Sequence, residues 1–283
     1  MIRSLNSAVS GMEQFQEEMD VIGNNIANVN TTAFKSARVE FADSFSQTLQ
    51  ASSTGNGVVS NTASLQVGTG VTTASIHNIY DQGAVASTGG QTDLMVSGPG
   101  FFLVRDPLNG AQFVTRAGDF RQDDMGRLIT NTGLRVQGFS DAALTTLGDL
   151  TIDTTGAPAT ASPTATLSSF NIDREGKINV HLSDGTDFVR GQVLLQNFND
   201  PQSLVKEGNN LFSGMAAAGP LATLSAPGSS GLGNLQAGAL ELSNVDLARE
   251  FASLITMQRA FQANARIITT SDEMLQELVN LKR

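Results

Sequence analysis

The chain has 283 residues, 27 acidic against 17 basic side chains, a formal charge of −10, 40% apolar residues and no cysteine or tryptophan. That length and apolar content can bury one large or two small cores. The lack of cysteine excludes a disulfide framework, Cys-ligated zinc and a thiol nucleophile. Scattered basic residues under a net negative charge argue against a nucleic-acid partner. No apolar run reaches the roughly eighteen residues of a bilayer span, so no membrane insertion is expected.

From Leu5 to Val29 apolar residues recur every seven positions, as Leu5, Met12, Met19, Ile26 and as Ala8, Phe15, Ile22, Val29. The offset of three makes an a/d stripe and predicts a helix from about Ile2 to Asn28. Glu13, Glu17, Glu18 and Asp20 interrupt any apolar core of a signal peptide, so export would use no cleaved Sec signal. The run holding Asn24, Asn25, Asn28 and Asn30 has two readings: a helix-ending cap and loop, or a polar subunit contact that fixes register. Phe34, Phe41 and Phe45 with Lys35 and Arg38 allow a short helix or an extended arm. Gln50–Gly70 is rich in Ser, Thr, Gly and Asn and reads as linker or arm.

From Val71 the period changes to two. Strands are predicted at Phe101–Val104, Gln112–Thr115, Arg127–Thr130, Leu134–Gln137, Lys177–Leu182 and within Phe188–Phe198. Asn109-Gly110, Met125-Gly126, Thr132-Gly133 and Asp184-Gly185 supply the turns between them. Thr154–Thr166 reads as a loop excursion and Ser213–Gly233 as a return linker.

A second helix is expected near the C-terminus, with Ser243 as N-cap, Asp246 in capping-box position and Leu242 stapled to Leu247. Its seam is Leu247, Leu254, Phe261, Ile268, Leu275, faced by Phe251, Gln258, Ala265, Asp272, Val279. Ser271 and Asp272 either serve as polar seam positions or break the helix. The two helices can zip within one chain, cover the β body, or pair between subunits. Heptad seams and apparent linkers favour pairing between subunits, which head to tail builds an open helical filament. On that reading the ends are mobile in the isolated subunit and fold on assembly.

The fold class expected is α+β: terminal helices (1–34 and 240–283) forming a coiled-coil inner domain, linker or arm regions (35–75 and 213–239), and a mainly antiparallel β body (76–212) with a loop insertion near 141–167. Candidate assembly residues are Leu5, Met12, Phe15, Met19, Ile22, Asn24, Asn25, Ile26, Asn28, Leu247, Phe251, Leu254, Gln258, Phe261, Ile268 and Leu275.

Met19–Thr31 with Phe34-Lys35 resembles the N-terminal signature of bacterial flagellar rod and hook proteins. Leu242–Leu247, Gln258–Asn264 and Met274–Leu278 resemble the C-terminal one, and Gln82-Gly83-Ala84, Ser97–Phe102 and Gly208–Phe212 resemble the bounds of the family's β domain. Ala33 stands where that family usually has Gly, which bears on the backbone angles of that loop. The resemblance implies a structural subunit of an axial filament, with the terminal helices inside and the β domain outside. It implies as partners further copies of the chain, other axial proteins (rod, hook cap, hook–filament junction) and the flagellar export apparatus, and a place in the hook or basal body. Ser44–Leu49 and Val67–Val71 look more like the hook version, so a hook subunit is the expectation and a distal rod subunit the alternative. An exported trimeric fibre or adhesin is a more distant reading. No enzymatic activity, metal or cofactor is expected: His77 and His181 lack a companion four residues on, and no nucleophile elbow or P-loop occurs.

Overall fold

The computed structural model describes residues 2–52, 63–159, 161–162, 164–221 and 224–281. Much of the expected arm, 53–62, lies outside the described residues, as do 160 and 163 of the Thr154–Thr166 patch.

The elements begin with α1 (Ile2–Ala27), β1 (Ala37–Asp43), β2 (Ser46–Gln50), β3 (Leu65–Gly68) and β4 (Val71–Asn78). There follow β5 (Val85–Ser87), β6 (Leu94–Ser97), β7 (Phe101–Arg105), β8 (Gln112–Thr115), β9 (Arg121–Gln122), β10 (Leu128–Ile129), β11 (Arg135–Phe139) and β12 (Leu147–Asp149). The chain continues with β13 (Leu167–Ile172), β14 (Lys177–Leu182), β15 (Asp187–Val193), β16 (Leu195–Gln196), β17 (Val205–Gly208), β18 (Leu211–Ser213), the single helical turn α2 (Met215–Ala218), β19 (Asn234–Ala237), β20 (Ala239–Glu241) and α3 (Leu247–Leu281). They divide into two compact units: residues 1–27, 36–79 and 245–283 form a helical unit, and 28–35 with 80–244 form a β unit.

In the helical unit α1 and α3 pack together, the intramolecular pairing that the sequence left open. A Cβ added at Gly11 would lie 2.6 Å from Asn264 Nδ2, and Asn25 Nδ2 donates to Glu250 Oε2 at 3.4 Å. Fourteen residues separate these contacts on each helix, in opposite senses, so the pair is antiparallel. The covered face of α3 is Leu254, Met257, Phe261, Asn264, Ile268 and Ser271, spaced alternately three and four. Leu254, Phe261 and Ile268 thus lie where the heptad put them. The facing series is corrected: Phe251, Gln258, Asp272 and Val279 are exposed, and Met257, Asn264 and Ser271 take their place. Both candidate series carry two polar residues, so polarity could not choose between them. The helix runs unbroken through Ser271 and Asp272.

Asp246 caps α3, its Oδ1 accepting from the N–H groups of Ala248 (2.9 Å) and Arg249 (3.3 Å). The expected cap at Ser243 is therefore displaced to Asp246: Ala239–Glu241 pair as a strand, and the chain still has to turn before helix can start.

The region 35–75, read as linker, carries an antiparallel pair with β1 against β4, from Ala37 opposite Asn78 to Asp43 opposite Val71. Phe41 meets Phe15 of α1 edge-on at 6.2 Å, and Thr73 of β4 bonds Gln14 and Glu17. Past Asp43 the ribbon continues as β2 against β3, every residue of which is exposed.

The β unit holds an antiparallel sheet in the order β13-β14-β15-β11-β7-β8-β18-β17. Its central strand β7 is a continuous apolar run because it is buried on both faces. Phe102 and Val104 enter a core with Leu94, Val136, Ile178, Val193 and Leu195. Phe101 and Leu103 enter the other, with Val114, Phe198, Leu204 and Phe212. The hairpin predicted at Asp184-Gly185 joins β14 to β15, with Gly185 in the left-handed region (φ +82°). β19, at the end of the expected linker region 213–239, runs antiparallel to β6, and β20, at the head of the expected terminal-helix region 240–283, runs antiparallel to β5. Arg190 ties down the start of the expected 141–167 insertion, donating to Asp153 Oδ1 (2.5 Å), Thr151 Oγ1 (2.7 Å) and the carbonyl of Ser140.

Candidate assembly surface and junction cluster

The candidate assembly residues separate into covered and open sets. Ile22 and Asn25 are buried, and Leu5, Met12, Phe15, Met19, Ile26, Asn28, Leu254, Phe261 and Ile268 are half-buried, within this one chain. Asn25 acts as a clamp: its amide accepts from Ala37 N–H (3.0 Å) and donates to Ala37 C=O (2.9 Å), holding the first residue of β1 as a neighbouring strand would. Asn24, Leu247, Phe251, Gln258 and Leu275 are open. Residues the heptad reading missed join them: Ile255, Ile267, Met274, Leu278 and Leu281 are exposed apolar side chains of α3. The last four follow one another at intervals of seven, four and three and so share a face. The antiparallel register puts Ile2 opposite Glu273, so α3 beyond that point extends past α1, which explains the exposure of residues 274–281.

In the β unit, the segment following α1 meets the strand preceding α3 at a buried charge cluster. Lys35 Nζ donates to Glu241 Oε1 (2.6 Å) and to the carbonyl of Asp81 (2.8 Å). The same Oε1 accepts from Gly83 N–H (2.9 Å), and Ala33 N–H donates to the Glu241 carbonyl (2.8 Å). Arg116 Nη1 stands 3.6 Å from Glu241 Oε2, with its guanidinium over Phe101 at 5.1 Å from the ring centre. Lys35 and Glu241 are each 1% exposed and Arg116 is 4% exposed. Burial pulls the Lys35 ammonium and the Arg116 guanidinium below their ordinary values, and Glu241 opposes it in both. Ala33 sits at φ +56°, a backbone conformation in which Gly would be unstrained. Asn210 Nδ2 donates to the carbonyl of Thr32 (2.6 Å), and Lys206 Nζ to that of Lys35 (3.0 Å).

Sequence reasoning quoted Lys35 within a motif and missed Glu241. The signal was there: in Ala239-Leu240-Glu241 alternation puts the carboxylate on the face of Ala239, which is 1% exposed. A charge on an inward face calls for a counter-ion.

The chain thus holds two terminal helices paired with each other, one of them with exposed apolar side chains, and a separate antiparallel β unit. Comparison with known proteins gives the family. Residues 5–35 match the family described as "Flagella basal body rod protein", 95–180 the "Flagellar hook protein FlgE/F/G D1 domain", and 236–281 the "Flagellar basal body rod FlgEFG protein C-terminal". The chain is 41% identical over 283 residues to the "Flagellar basal-body rod protein FlgG" of Bacillus subtilis (strain 168), covering all of both chains. It is 37% identical to the protein of that name from Caulobacter vibrioides, covering 99% of this chain and all of the relative. To the "Flagellar hook protein FlgE" of Borreliella burgdorferi it is 28% identical over 444 aligned positions. A solved structure of Helicobacter pylori flagellar hook protein FlgE2 aligns with 64% of this chain and 47% of that one at 14% identity, with a TM-score of 0.22.

The chain belongs to the flagellar basal-body rod and hook family of axial proteins. It is a structural subunit of the flagellar axis, in a family that is not one of enzymes.

Proposed function

We propose that this chain is the distal rod subunit, a building block of the stiff shaft that carries torque from the motor, rather than the hook subunit. The observation that carries the reading is the end-to-end match, at 34–41% identity, to relatives named as basal-body rod proteins. The hook-named relative matches more weakly and only across a longer, gapped alignment. The hook-like Ser44–Leu49 stretch supports less than it promised, because most of it is one strand of a short exposed ribbon.

On this reading the subunit forms a helical homopolymer. The α1–α3 pairs, supercoiled, line an inner tube. The open apolar side chains of α3 and Asn24 meet neighbouring subunits, and the β unit forms the outer wall. Other axial proteins cap either end, and the export apparatus delivers the subunit without cleaving a signal. Burying one exposed Phe or Leu contributes about 1.5–3 kcal/mol, so a few such contacts per subunit suffice to drive polymerisation. Electron microscopy of the concentrated, purified chain tests the reading. Straight, stiff tubes are expected; curved tubes would favour the hook, and discrete trimers would reject axial assembly.

A further inference from the structure

Two contacts fix the register of the helix pair, Gly11 against Asn264 and Asn25 with Glu250. Glu18 stands seven residues from Gly11 and from Asn25, and Met257 seven from Asn264 and from Glu250, so Glu18 and Met257 face one another across the seam. The layers on either side are matched. Gly11 leaves room for the Asn264 side chain, and the Asn25 amide donates to Glu250 Oε2 at 3.4 Å. The middle layer is not. Glu18 Oε2 is buried with no hydrogen-bond partner among the described residues, and Met257, itself half-buried, offers only a thioether. A carboxylate in that place costs free energy that a neutral carboxyl largely avoids.

No cation offsets the charge. On α1, Glu17 is bonded to Thr73 of β4, while Glu13 and Asp20 are exposed. On α3, Arg249, Arg259 and Arg266 are exposed, and Glu250 is held by Asn25. On β1 and β4, which also pack on α1, Glu40 pairs with Arg38 and His77, and Asp43 is exposed. Burial alone holds the Glu18 carboxyl above the ordinary glutamate value.

We propose that the Glu18–Met257 layer is an acid-sensitive lock on the helix pair: with the carboxyl neutral α1 and α3 close on each other, and with it ionised the charge stranded in the seam loosens them. Folding takes up a proton at Glu18, so this contribution is in place at low pH and is lost as the pH rises through the folded value. The helix pair of a free subunit is therefore easiest to open once Glu18 is ionised. The lock lies within one chain and stands apart from the choice between rod and hook.

The test follows helix melting of the full chain by far-ultraviolet circular dichroism from about pH 4 to pH 8, across the Glu18 titration. Glu18→Gln keeps the shape of the side chain and removes its titration. It should melt within about 1 °C of wild type at the acid end and at least about 2 °C above it at the alkaline end. Met257→Lys sets an ammonium opposite Glu18 and should reverse the sign. Measured against the double variant that also carries Glu18→Gln, its melting temperature should rise with pH, because the new pair needs the carboxylate ionised. An offset of Glu18→Gln that is the same at every pH would mark a merely structural role and overturn the proposal. A Met257→Lys difference that does not grow with pH would overturn it too. Should Met257→Lys fail to fold, the Glu18→Gln profile decides alone.

Discussion

Replacing Glu241 by Ala removes the one carboxylate that holds two buried cations. Lys35 loses its ion pair at 2.6 Å, Gly83 N–H loses its acceptor at 2.9 Å, and Arg116 loses its counter-charge. Breaking a buried pair from one side costs about 3–5 kcal/mol, because the remaining charge is stranded. The lost Gly83 bond belongs to the same network and is not added on top. Lys35 can relieve part of the cost by giving up its proton, which its lowered pKa already favours. A loss of about 3–5 kcal/mol corresponds to a fall in melting temperature of roughly 6–20 °C. The assay is intrinsic fluorescence on thermal and urea unfolding. The chain has a single tyrosine and no tryptophan, and Tyr80 packs against Phe101 and Phe212 in the β unit, so the signal reports that unit. Glu241→Gln, which keeps one acceptor oxygen, should lose less. A double-mutant cycle with Lys35→Met should give a coupling of at least about 1 kcal/mol. A loss under about 1 kcal/mol for Glu241→Ala, with coupling near zero, would refute the cluster as the tie between the two chain segments.

Ala33→Gly should raise stability by about 0.5–1 kcal/mol, since the strain at φ +56° exceeds the entropy that Gly adds to the unfolded chain; urea midpoints check it. Gly83→Ala should cost at least about 2 kcal/mol, because its Cβ would stand 2.0 Å from the Leu242 carbonyl oxygen; soluble yield and melting temperature read it out. Burial holds the Glu18 carboxyl above the ordinary glutamate value, so the folded chain binds the extra proton. The associated stability is present at low pH and lost as pH rises through the folded pKa. Glu18→Gln should flatten that slope and stabilise the neutral-pH protein, as stability measured across pH 4–7 would show. Phe251→Asp, at an exposed site, should leave subunit stability within about 0.5 kcal/mol of wild type and raise the concentration needed for polymerisation about tenfold or more, measured by sedimentation.

Periodicity made the helices and most of the β unit legible. The stripe through Leu5, Met12, Met19 and Ile26 and the strands at Gln112–Thr115 and Lys177–Leu182 stand where it puts them. It failed where side chains are short and polar. Ala37–Asp43, which allowed a short helix or an arm, is a strand paired with Val71–Asn78, where the period of two begins; its own alternation is diluted by charge. Asn234–Glu241 pairs strand by strand although it spans the end of the expected linker region and the head of the expected terminal-helix region. Backbone hydrogen bonding carries such segments, and composition does not record it. The Lys35–Glu241 contact joins positions 206 apart in sequence, so no local pattern could disclose it. The open face of α3 was half legible. Phe251 was named for assembly, whereas Ile267, Met274 and Leu278 were not, because they lie off the heptad seam that α1 covers.

A chain that builds the rod and not the hook is needed before any hook can form. Electron microscopy of basal bodies from cells lacking the protein tests it most directly. The expected result is basal bodies whose rod stops short, with no hook. A full-length rod that lacks only its hook would contradict it.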